Sequence, residues 1–339
     1  MRIGFLSVYN LSCGVSEYLR YLIYYGLKNT DNIVVFARRD TRDVVRQDED
    51  FVIRCWDKFN YADFFRVLMS HPVDVINIHH EYTLMENGSL VQVIMALRAL
   101  GIKVVLTMHT TGDGENMNSN PIVGAADWTI THTRTVGDRV TNIPLPFIDL
   151  PVDHAANRKK FDEIYHTDGA LLVGHFGFPF GHKNHRVIID AMTGVKGAVL
   201  VLLLGKRDLT ANNVAGIIEH ARQRQVPCLV IHDFLEIERV IELLSACDVG
   251  VFAYPGEWSG QSGAIRICMS ARIPIVTTRT KVVMDALDYL DVCEPGQLPE
   301  AIAKARGSEI RYLDYLRANS CEAVMQKYLE LFRKLCIQS

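Results

Sequence analysis

The chain has no C-x-x-C pair, no G-x-G-x-x-G after its first strand and no apolar run of membrane-spanning length. Each absence excludes something. Eight cysteines are scattered without metal-ligand spacing. Cys55, Cys228, Cys247 and Cys268 lie in apolar contexts and read as small core residues. That favours reduced thiols, hence a cytoplasmic location, over a disulfide framework. Without the glycine fingerprint a dinucleotide oxidoreductase fits poorly. A transmembrane helix needs roughly 20 apolar residues, so none is expected; a peripheral membrane contact stays open. The N-terminus opens directly on a strand, Arg2–Val8, with no signal-peptide h-region. The sequence shows no 20–50-residue repeat and no low-complexity tract. Lysine and arginine number 36 against 39 acids, a net charge of −3 that gives no reason to expect nucleic acid. No metal is implied.

With 339 residues the chain suits two domains. It is 49% hydrophobic and 22% charged, ordinary values for a globular protein. Strand and helix signals alternate through the first half. The strands are expected at Ile3–Val8, Ile33–Ala37, Val73–Ile78, Lys103–Met108 and Ala126–Thr131, the helices at Val15–Gly26, Tyr61–Ser70 and Ser89–Leu100. The same logic repeats after Asn142–Val152, which carries Pro144, Pro146 and Pro151 and has the composition of a linker. There the strands are Ala170–Phe176, Ala198–Leu204, Cys228–Ile231 and Val249–Ala253, and the helices His185–Met192, Asn213–Gln223 and Ile237–Ala246. Such alternation means parallel sheets covered by helices. The expected fold is α/β, with two Rossmann-like doubly wound domains at 1–150 and 151–317. Ile310–Cys336 reads as a long helical pattern broken near Asn319.

The run Tyr254–Thr278, YPGEWSGQSGAIRICMSARIPIVTT, carries the most chemistry. A strand leads into a loop of glycines and small polar residues, then a helix from about Ala264. Unpaired N–H groups and a partial positive charge at a helix N-terminus suit a diphosphate. Ser259, Ser262 and Gly263 fall there. Glu257 lies where an acid could bond hydroxyls of whatever the diphosphate carries. The same run also reads as an ordinary βαβ turn with a well-capped helix. In GHFGFPFGHKNHR, Gly177 starts a turn and Lys183 opens a helix, its ammonium facing solvent. A lysine there neutralises diphosphate, with Lys206, Arg207 and Arg266 as further cations. In LSCGVSEY, Gly14 permits close backbone approach, and Ser12 or Ser16 can cap the helix. His79-His80-Glu81 and His109 each end a strand at the carboxyl edge of a doubly wound sheet, where ligands bind.

These stretches resemble retaining GT-B glycosyltransferases of family 4. S-G-A at Ser262–Ala264 with Pro274 following, T-x-H-T at Thr107–Thr110, F-G…K at Phe176–Lys183 and H-E-Y at His80–Tyr82 are similar to that family's motifs. The resemblance implies two domains facing across a cleft, with a C-terminal helix, about 318–339, crossing back onto the first. It implies a UDP- or GDP-linked sugar as donor and a carbohydrate or lipid-linked acceptor, with no further cofactor. His109 and Glu257 would address the transferred sugar, Lys183 the diphosphate, and the Gly14 loop the donor phosphate or acceptor. This chain departs from the pattern at four places: Ile265–Ile267 replaces a helix carboxylate, Gly177 an arginine, and Cys13 and Asn184 each a glycine. A sugar transferase is the leading reading. A nucleotide-sugar epimerase and a non-catalytic partner subunit are the alternatives.

Overall fold

The computed structural model describes residues 1–40, 42–111, 115–167, 169–206, 211–256 and 260–337. The chain divides into two compact units. Among the described residues the first takes in 1–146, 260–261 and 319–337, the second 147–256 and 262–318.

The first unit runs β1 (Ile3–Ser7), α1 (Gly14–Gly26), β2 (Ile33–Arg38), β3 (Val52–Trp56), α2 (Ala62–Ser70), β4 (Val75–His80), α3 (Asn87–Ala99), β5 (Lys103–Met108), α4 (Pro121–Ala125), β6 (Trp128–Thr131) and β7 (Val140–Asn142). These strands form a parallel sheet in the order β3-β2-β1-β4-β5-β6-β7. Successive side chains point to opposite faces, and both faces are buried. Leu6, Phe36, Ile76, Ile78 and Leu106 enter one core. Phe5, Val35, Val75, Val105 and Ile130 enter the other. This is why the strands read as nearly continuous apolar runs.

The second unit runs α5 (His154–Tyr165), β8 (Leu171–Gly177), α6 (His185–Met192), β9 (Ala198–Leu204), α7 (Ala211–Gln223), β10 (Cys228–His232), α8 (Ile237–Ser245), β11 (Val249–Phe252), α9 (Gly263–Ser270), β12 (Ile275–Thr278), β13 (Asp291–Cys293), α10 (Leu298–Ala305) and α11 (Leu313–Ala318). Its sheet is also parallel, in the order β10-β9-β8-β11-β12-β13. The last helix, α12 (Cys321–Ile337), belongs to the first unit. It lays Val324, Met325, Tyr328, Phe332 and Leu335 into the core beside α1. The approach is close enough to require Gly26, where an added Cβ would stand 2.7 Å from the Cys321 carbonyl oxygen.

Two sheets, each doubly wound, match the expected class. The details differ at the edges. β3, β7 and β13 have no counterpart in the sequence expectation. β7 and β13 are three residues each, and β3 is an edge strand bearing Arg54, so hydrophobic pattern is weak in all three. The proline-bearing stretch is not a loose linker. Ile143 and Leu145 are buried in the first unit, Phe147 and Ile148 in the second. Alternating proline with large apolar residues gives a linker's composition but an anchored chain.

Candidate functional site

In the second unit, the carboxyl ends of β8 and β11 bring three segments together. β8 ends at Gly177, whose φ of +149° lies where side chains are rarely accepted. A Cβ added there would stand 3.4 Å from Lys183 Cε and 3.5 Å from Ala264 Cβ. The backbone therefore passes between the lysine and the start of α9. A single 3₁₀ turn, Gly181–Lys183, follows, and Asn184 in the left-handed conformation separates it from α6. Lys183 thus precedes the helix rather than opening it. Its ammonium is not simply solvent-facing either: it is half-buried, donates to the Tyr254 hydroxyl and stands 4.5 Å from the centre of that ring.

Tyr254 continues the relay. A lysine ammonium only donates, so the phenol oxygen accepts from it, and the same hydroxyl shares a hydrogen bond with Ser262 Oγ, 2.6 Å away, in which either oxygen can donate. Ser262 caps α9 by accepting the Ile265 N–H at 3.3 Å. Gly263, in the first turn, is exposed, and a side chain there would meet nothing within 4 Å. A cation and a helix N-terminus are held in one hydrogen-bonded chain. Tyr254 is the link that sequence reading missed. Its signal was its place, immediately after a strand and eight residues before the cap.

Histidines surround this lysine without adding charge. Burial first and Lys183 second lower His182 to about 4. The same two causes, with His182 third, lower His185 to about 4. His175 is pushed well below the usual range by burial and then by His185. At neutral pH all three are uncharged, so Lys183 supplies the positive charge beside them.

In the first unit, the face of β4, β5 and β6 under α1 and α12 carries a polar column. Asn77 donates to Thr107 Oγ1 at 2.9 Å and to the Val105 carbonyl at 3.0 Å. One step further along the strands, His79 Nδ1 lies 3.0 Å from His109 Nε2. The His109 N–H extends the ladder to the His80 carbonyl, which fixes its backbone at the strand end. The Tyr18 ring meets His109 edge-on at 4.8 Å, and its hydroxyl lies 2.8 Å from that of Tyr328 on α12. His132 closes the group, 5.2 Å from His109 between ring centres, with Nδ1 2.9 Å from the Ile143 carbonyl. Burial lowers His79 to about 3, with His132 adding to it. Burial, then His132, His79 and His80, push His109 well below the normal range. His80 points to the other face and bonds Asn87 on α3 at 3.1 Å.

Other expected residues fall differently. Arg266 does not serve as a free cation. Its side chain is 1% exposed and ion-paired with Asp285, with the guanidinium over Phe147 at 5.0 Å and Tyr315 at 5.8 Å. Burial pushes the Asp285 carboxyl up, but Arg266 and hydrogen bonds from Tyr315 and Arg266 outweigh it and hold it below the usual range. Gly14 begins α1, exposed, with nothing near its Cβ direction. The side chain of Cys13, the residue before α1, makes no cap bond, and Ser16 Oγ takes the Leu11 N–H, at 2.9 Å. Lys206 is exposed after β9. Glu257, Ser259 and Arg207 lie outside the described residues.

The metal-free expectation passes over one string, Asp48-Glu49-Asp50, which has the Asp-x-Asp spacing. Its Asp48 is taken by Arg54 at 2.6 Å and by Asn10 at 3.1 Å, and Glu49 by Asn10 at 2.9 Å. Among the described residues no group of three or more His, Cys, Asp or Glu side chains could hold a metal ion. No helix among them is long and apolar enough to cross a membrane.

No family model matches this chain, and no curated protein matches it. Solved structures match nearly all of it. HepE of Anabaena, in complex with UDP and glucose, is 14% identical, over 98% of this chain and 100% of that one, with a TM-score of 0.75. A glycosyltransferase from Rickettsia africae is 13% identical, over 100% and 99%, with a TM-score of 0.76. A sucrose-phosphate synthase from Thermosynechococcus elongatus is 15% identical, over 100% of both chains, with a TM-score of 0.72. At these identities the likeness is one of fold: two Rossmann-like units of the GT-B type.

Proposed function

We propose that the protein is a cytoplasmic retaining glycosyltransferase. It moves a hexose from a nucleoside-diphosphate sugar, UDP- or GDP-linked, to a hydroxyl of a carbohydrate or lipid-linked acceptor, without a metal. The observation that carries this is the relay Lys183–Tyr254–Ser262 at the open end of α9. Breaking a glycosidic bond to a diphosphate builds negative charge on the leaving group. A fixed ammonium and preorganised N–H groups stabilise that charge more in the transition state than in the ground state. The structural relative HepE is in complex with UDP and glucose, which supports a nucleotide-sugar donor.

His109 is proposed to address the transferred sugar as a neutral imidazole, hydrogen-bonding a hydroxyl. Its depressed basicity argues against a role as general base near neutral pH. Glu257 is assigned to the sugar's hydroxyls. The acceptor attacks from the face that the diphosphate leaves, so configuration is kept.

The test is to incubate the protein with UDP- and GDP-linked hexoses and cell-extract acceptors. Nucleotide release, transfer of radiolabel and the anomeric configuration of the product are then followed. Retained configuration in a labelled product, formed in the presence of EDTA, is the expected result. Inversion of a sugar centre in the donor without transfer would instead support an epimerase. Donor binding with no turnover on any acceptor would support a partner subunit. The buried stretch Ile265–Ile267, where the resembled family has a carboxylate, is the feature that would favour that last outcome.

A further inference from the structure

The pair His79–His109 contains one hydrogen between two nitrogens 3.0 Å apart, and its direction follows from surroundings. Both rings are neutral near pH 7, so each carries a single N–H. His79 is fully buried, and its Nε2 has no hydrogen-bond partner. If the hydrogen of His79 sat on Nε2, a buried donor would be stranded without an acceptor, which is strongly disfavoured. If it sits on Nδ1, it is used in the bond to His109, and only a lone pair is left bare. The second arrangement is favoured. His109 Nε2 is then the acceptor, and the hydrogen of His109 must lie on Nδ1.

We infer that His79 is a positioning residue: its Nδ1–H holds His109 in the Nδ1–H tautomer, so that His109 offers a ligand a hydrogen-bond donor and not a base. The surrounding contacts fit this. The Tyr18 ring packs against His109 at 79°, 4.8 Å between ring centres, and restricts the imidazole's rotation. Tyr18 is in turn pinned by the 2.8 Å contact with Tyr328. The basic lone pair of His109 is covered by His79, and the remaining nitrogen can only donate. The natural recipient is an oxygen of a hydroxyl or of a similar neutral acceptor group. That assignment of the recipient rests on the proposed role of His109 at the transferred sugar. The tautomer does not.

The two parts are separated by two measurements on the full chain. Long-range proton–nitrogen NMR of protein labelled in its histidines reports the tautomer directly, with His109→Ala identifying the signal. Wild type is expected to show His109 protonated at Nδ1. His79→Ala, which removes the donor and leaves room for a water that can accept from Nε2–H, should release His109 to the Nε2–H form. His79→Asn, whose amide can replace the Nδ1–H, should restore the Nδ1–H form. In transfer assays His79→Ala should lower kcat roughly tenfold with the donor KM unchanged, and His79→Asn should recover most of it. Wild-type His109 protonated at Nε2 overturns the inference, and so does a tautomer indifferent to His79→Ala. Should His79→Ala fail to fold, the wild-type spectrum still decides. If the tautomer is as stated but neither His79→Ala nor His109→Ala alters transfer, tautomer control stands and the sugar-facing role of His109 falls.

Discussion

Lys183 donates to the hydroxyl of Tyr254, its ammonium 4.5 Å from the ring centre. One aromatic side chain thus holds the cation and connects it to the cap of α9. A lysine on a four-carbon stem is otherwise free to sample many rotamers. Holding it in advance lowers the ordering cost of binding an anion.

Lys183→Ala should therefore weaken binding of UDP or GDP by about 1.5–3 kcal/mol, the value of one charge-assisted contact. Because the ammonium is already engaged, a small stability loss of about 1 kcal/mol should accompany it. Calorimetric titration beside a thermal melt reads both. Unchanged nucleotide affinity would remove Lys183 from the site.

His109→Ala should leave nucleotide affinity intact and cost transfer roughly 2–4 kcal/mol of transition-state stabilisation. Glu257→Gln should lose discrimination between the sugar nucleotide and the bare nucleotide. If His109→Ala abolished binding of the bare nucleotide with the fold intact, the imidazole would not be addressing the sugar.

Asp285→Asn should destabilise the second unit by about 3–5 kcal/mol, because it leaves the Arg266 guanidinium buried without its carboxylate. Denaturant titration checks this. A change under 1 kcal/mol would mean that Phe147 and Tyr315 alone hold the arginine.

Acid should destabilise the protein through its buried histidines. The folded-state value of His185 is about 4, below the ordinary value of 6.5. Between those values the unfolded chain binds the extra proton, so stability is full above about pH 6.5 and falls as pH drops toward 4. For this one group, 4% exposed, the loss is roughly 3 kcal/mol. His185→Phe should flatten the melting temperature against pH in that window. An unaltered slope would mean that His185 is charged in the folded protein.

Most of the strands and helices, and the polar residues that end the strands, were legible in the sequence because they depend on local pattern. Both faces of each sheet are buried, so β4, β5, β8 and β9 announce themselves as apolar runs. A histidine or glycine at the end of such a run must emerge at the carboxyl edge of its sheet. Local pattern also located the cap at Ser262. What it could not decide was which side chains meet. Arg266 reads as a cation on a phosphate-binding helix, and only packing against Asp285, Phe147 and Tyr315 turns it inward. Tyr254 reads as the end of a strand, and only the turn at Gly177 brings Lys183 to it. His79 and His109 are separated by a whole βα unit, and their bond exists because β4 and β5 pair with His79 opposite Thr107. Register, burial and the protons they place are properties of the folded chain, where distance in space replaces distance in sequence.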